Sequence, residues 1–168
     1  QQVIDGSEQA YLSAGYEAQA ASVAAMYSLA IERAQPLMDV AEKLKGLQDE
    51  FIRTADFDAA EPTVIIGLTL GQRIQEQGPY LIDQLMGNAI ERKFLQQLDP
   101  LTAAGPGGQT AAARLETLDA NLLEIKTLSS GFAEAMVTMD DATRSQYLAK
   151  MKAEGELAAM RWVAARPR

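Results

Sequence analysis

One heptad series runs through the first third of the chain. Tyr16, Ala20, Val23, Tyr27, Ala30, Ala34, Leu37, Ala41, Leu44, Gln48 and Phe51 follow one another at alternating steps of four and three. Ten of these eleven positions are apolar, and only Gln48 breaks the rule. Steps of this kind hold a stripe on one side of a helix and specify a coiled-coil-like seam. A second series reads Leu115, Leu118, Leu122, Ile125, Phe132, Met136 and Met139, with Ser129 as its single polar member. The fold class that follows is all-α, a bundle of about five or six helices with long coiled-coil-like helical arms.

Local signals divide the chain further. Ser7, with Glu8 just after it, has the composition of a helix start. Pro36 would ordinarily end that helix, yet the heptad phase continues through it to Phe51. A continuous helix kinked at Pro36 is therefore expected over a break at Gln35 with Pro36 opening a second helix, and a helix of about 46 residues would measure roughly 70 Å. Residues 55–61 lose the periodicity and read as a connector, with Pro62 opening the next helix. That helix should end at Gln77, before Gly78, and Pro79 should open another that runs to about Leu98. Leu101 to Gln109 contains Gly105-Pro106-Gly107-Gly108 and no charge, the composition of a flexible loop. Thr110 can cap the helix after it, and Thr138 with Asp141 resembles a capping box for a last helix reaching towards Ala165.

The residue types present narrow the chemistry. The chain has no Cys and no His, which removes thiol catalysis, disulfides, the commonest general base and every thiolate or imidazole metal site. With 168 residues, 48% hydrophobic and 23% charged, it has the size and composition of a single helical-bundle domain over 1–168. A net charge of −8 repels a phosphate backbone, so nucleic acid is not an expected partner. The longest uncharged helix-like stretch, Ala18 to Ile31, is fourteen residues long and includes Gln19, Ser22 and Ser28. It is too short and too polar for a transmembrane segment. A first residue of Gln1 rather than Met suits both a trimmed chain and one released from a secretory signal peptide; the reading leans to an exported or periplasmic protein.

Four features invite a functional reading, and each has a plainer one. Asp56, Asp58 and Glu61 gather carboxylates as a hard cation requires, but no Gly or Glu stands where a calcium loop needs it, and a solvated acidic connector explains them. The Gly105–Thr110 loop precedes a helix N-terminus but lacks the Lys of a phosphate loop and any preceding strand. Glu116 with Asp119, and Glu42 with Glu50, could serve as the paired acids of a hydrolase, although such pairs occur on any charged helix surface. Gly67 and Gly71 form a small-xxx-small pattern that lets two helices approach closely, as the Ala14, Ala18, Ala21 and Ala25 series does.

The expected function is a non-enzymatic structural or protein-interaction module, with no cofactor and with a protein partner or self-association. The alternative is a helical carrier that holds a small apolar ligand between helices, since Met fills irregular space and Tyr offers a polar tip. Residues expected to meet a ligand or partner are Tyr16, Tyr27, Met136, Met139 and Trp162. Residues 144–168 carry six basic residues against Glu154 and Glu156, while the rest carries nine basic and twenty-one acidic residues. A basic final helix docked on an acidic body, through Leu148, Met151, Ala158 and Trp162, is the expectation.

Overall fold

The structure, a computed structural model, describes residues 2–166. Arg168, counted in the basic terminus, and the start at Gln1 lie outside the described residues. Seven α-helices follow in order: α1 (Gln2–Ser13), α2 (Ala18–Arg53), α3 (Phe57–Gln77), α4 (Leu81–Leu95), α5 (Ala111–Thr138), α6 (Asp141–Glu154) and α7 (Glu156–Ala164). A single 3-10 turn, Pro106–Gly108, lies between α4 and α5, and the described residues contain no strand, only an isolated bridge between Ala103 and Thr110. The fold is all-α. No described helix is long and apolar enough to cross a membrane.

The chain divides into two compact units, residues 1–37 and residues 38–168. In the first unit, Ser7 does not start a helix but lies within α1, and the chain turns between Ser13 and Ala18. Gly15 makes that turn at φ +90°, a conformation open to glycine because it lacks a Cβ. Across the turn the Tyr11 and Ser28 hydroxyls share a 2.6 Å hydrogen bond, and the Tyr11 and Tyr16 rings meet edge-on at 5.4 Å. The heptad stripe is shifted here: Ala21, Ser22, Ala25 and Met26 are buried while Tyr16, Ala20 and Tyr27 are exposed. Beyond them the stripe holds, with Ala30, Ala41 and Gln48 buried and Leu37, Leu44 and Phe51 half-buried. α2 runs through Pro36 unbroken, as the heptad phase predicts.

In the second unit α3 begins earlier than the periodicity suggests. Asp56 is its N-cap, accepting the Ala59 N–H at 3.1 Å, so Phe57 to Glu61 are helical and Pro62 lies inside the helix. The short polar side chain satisfies a free helix-end N–H, and that outweighs the lost apolar spacing. α3 ends at Gln77, as expected, but Gly78 is there for room. Its φ is −81°, and a Cβ would sit 2.2 Å from the Cβ of Asp83.

α3 and α4 form the tightest pair. A Cβ on Gly67 would meet the Phe94 ring at 2.3 Å, and one on Gly71 would meet the Glu91 N and Gly87 O at 2.8 Å. The small-xxx-small pair thus works in two ways: at Gly71 the two helix backbones approach each other directly, and at Gly67 the missing side chain makes room for the buried Phe94 ring.

α5 lies on α4, capped at Thr110 as expected, with Leu118 and Ile125 buried and Leu115, Leu122, Phe132, Met136 and Met139 half-buried. The last helix is two. α6 is capped by Asp140, which accepts the Thr143 N–H at 2.7 Å, and not by Thr138; Gly155, at φ +91°, then separates α6 from α7. α6 and α7 pack together, α7 packs on α5, and Met151 is buried with Leu148, Ala158 and Trp162 half-buried.

Candidate functional site

The end of α2, one face of α3 and the loop from Gln97 to Gly108 border an open groove of about 720 Å³. Its α3 wall is built by helical spacing, because Phe57, Ala60, Glu61, Val64, Ile65 and Leu68 recur every three or four residues. Ala60, Val64 and Leu68 are buried, whereas Phe57 is 65% exposed and Ile65 55%. α2 contributes Gln48 and Ile52. The opposite wall is backbone-rich and firmly tied: Ala104 and Gly105 donate to the Gln109 carbonyl at 2.9 Å, and Ala111 donates to the Thr102 carbonyl at 2.8 Å. The loop read as flexible from its glycines is therefore the hydrogen-bonded side of a groove.

Polar side chains in the lining of this groove are Gln48, Glu61, Thr69, Gln72, Gln97 and Thr102. Glu61, exposed on α3, is the single charged residue in its lining. Gln48 is only 2% exposed, and its Oε1 has no hydrogen-bond partner. Burying an amide oxygen without a donor is unfavourable, and such atoms are few in native structures.

A second cluster of polar groups lies in the core. Glu91 is fully buried and accepts two bonds from Arg114, at 2.8 and 2.6 Å, and one from the Gln75 amide at 2.6 Å. A carboxylate on which a bidentate guanidinium and an amide converge has a bond on each oxygen, and here it braces α3, α4 and α5 together. Asn88, also buried, donates to the Leu118 carbonyl at 2.8 Å. The Glu156 carboxylate accepts the Leu81 N–H at 2.7 Å, and the Glu156 backbone N–H donates to the Pro79 carbonyl at 2.7 Å, so this one residue ties the start of α7 to the start of α4. Its charge and, more strongly, burial push the Tyr147 hydroxyl far above its ordinary pKa.

The candidate acids named from the sequence are exposed, and several are held in ion pairs or a cap. Asp119 is paired with Arg92, Glu42 with Lys93, and Glu50 with Arg53. Glu116 is exposed, and Asp56 is the α3 cap. Among the described residues no group of three carboxylates is placed to hold a metal ion. Arg161 donates to Glu124 at 2.7 and 2.8 Å and holds that carboxyl below the usual carboxylate range. Backbone and side-chain hydrogen bonds from Thr143 do the same for Asp140.

Of the residues expected to meet a ligand, Tyr16 and Tyr27 are exposed in the first unit. In the second unit, Met139 lines a smaller cavity of about 460 Å³ with Phe132, Met160 and Val163, while Met136 and Trp162 are half-buried outside that lining. The Arg166 guanidinium lies 4.8 Å from the Trp162 ring centroid. None of the five lines the larger groove. Its one buried polar group, Gln48, was visible in the sequence as the exception in the heptad series. Phe57 was marked only by being an aromatic residue in an acidic stretch.

No known protein family, no curated protein and no solved structure matches this chain.

Proposed function

We propose that the chain is a non-enzymatic helical binding protein whose working part is the groove between α2, α3 and the 97–108 loop, and that it holds a small apolar molecule there. The observation that carries this reading is the groove itself. About 720 Å³ falls within the roughly 300–1,000 Å³ of small-molecule sites, and a mainly apolar lining with a minority of polar side chains is their usual composition. Support for the absence of chemistry comes from the acids: Glu91 and Glu156 are engaged in bonds between helices, and Asp119, Glu42 and Glu50 lie in exposed ion pairs.

The test is native mass spectrometry of gently purified protein, combined with thermal shift across a panel of neutral lipids. A retained small-molecule mass, or a raised melting temperature lost in Ile65→Asp, is the expected result. Ile65 is 55% exposed, so this substitution leaves the core intact. An apo mass and no shift from any ligand would overturn the carrier. A second reading, an apolar segment of a partner protein in the same groove, draws its support from the exposure of Phe57 at the rim.

A further inference from the structure

Within that carrier reading, on which this inference rests, we propose that Gln48 is the polar anchor of the groove and that its ligand is an uncharged amphiphile, an apolar body bearing one hydroxyl or amide N–H. Three observations converge on that chemistry. Gln48 lines the groove, is 2% exposed, and has an Oε1 without a hydrogen-bond partner. The missing partner of a carbonyl oxygen is a donor, which a hydroxyl or an amide N–H supplies and an ether or a hydrocarbon does not. Gln48 also occupies a heptad position where every other member is apolar, so a Leu would pack there without an unmet polar atom. An amide kept at that position is explained by what it binds.

Charge narrows the class further. The groove lining holds no Lys or Arg and one carboxylate, Glu61. An anionic headgroup would meet no counter-charge and one like charge, so fatty-acid carboxylates and phosphates are disfavoured. Neutral alcohols and amides pay neither penalty.

The experiment compares three probes of equal chain length on the full chain by isothermal calorimetry: 1-decanol, decyl methyl ether and decanoate. Decanol should bind about tenfold more tightly than the ether, which keeps the oxygen but lacks the O–H, and decanoate should bind no better than the ether. In Gln48→Leu the alcohol should fall to the level of the ether while the ether is unchanged, and the melting temperature should not drop. Equal affinity for alcohol and ether in the unaltered chain would overturn the anchor while leaving the carrier standing. Binding of none of the three, nor of any neutral lipid, would overturn both. The alcohol–ether comparison needs no variant and so does not depend on Gln48→Leu folding.

Discussion

Gly46 and Gly71 both lie inside helices, yet their surroundings give the same substitution opposite signs. A Cβ on Gly46 meets nothing within 4 Å, so Gly46→Ala should stabilise by roughly 0.5–1 kcal/mol through helix propensity alone. At Gly71 the obstacles are backbone atoms of α4 at 2.8 Å, which cannot swing aside, and Gly71→Ala should cost about 1–3 kcal/mol in urea denaturation. Arg114→Met should cost roughly 3–5 kcal/mol, because it leaves the fully buried Glu91 with only the Gln75 amide, and converting Glu91 to Met as well should recover most of the loss. The glycine contact was legible, since a small residue every fourth position has few uses other than close approach. Glu91 was not. A lone Glu in a helix reads as solvated surface, and nothing in the chain ties it to an Arg that lies 23 residues later.

Element boundaries were legible wherever one residue both ended a pattern and capped a helix, as at Thr110 and Gly78. They were hidden where the apolar pattern continued past the break, as at Gly155, or where a cap stood inside a stretch lacking pattern, as at Asp56. Side chains within the helices, rather than these junctions, are where pH should act. Glu124 has its carboxyl pKa depressed by Arg161, so the α5–α7 tie is whole above about pH 4.3 and is lost as pH falls through its lower folded-state value. Glu124→Gln should therefore reduce the acid sensitivity of melting, by a small amount because both side chains are substantially exposed. Tyr147 runs the other way. Folding holds its proton, so its contribution is whole below about pH 10 and is lost as pH rises beyond that. Tyr147→Phe should flatten the alkaline fall in stability measured by circular dichroism.

At the scale of the molecule, residues 38–168 form a compact unit whose buried members include Ile90, Phe94, Leu95 and Leu118. A chain beginning at Met38 should keep the helical circular-dichroism signal of α3 to α7 and unfold cooperatively in urea; a broad, non-cooperative melt would show that the unit needs residues 1–37. The all-α class was legible from periodicity because it depends on many residues at once. The groove was not, because a cavity is set by which helix faces are left uncovered, and no local pattern encodes that. One contact in this unit also bears on time. Glu156 reaches Leu81 across 75 residues of chain, whereas Gly71 and Glu91 meet across a short hairpin. Loop closure favours the near contact, so the α3–α4 pair should form on the way to the transition state and the Glu156 bond after it. Stopped-flow folding should then register Gly71→Ala mainly as slower refolding and Glu156→Gln mainly as faster unfolding, which makes the α4–α7 junction the latch that sets the lifetime of the folded state.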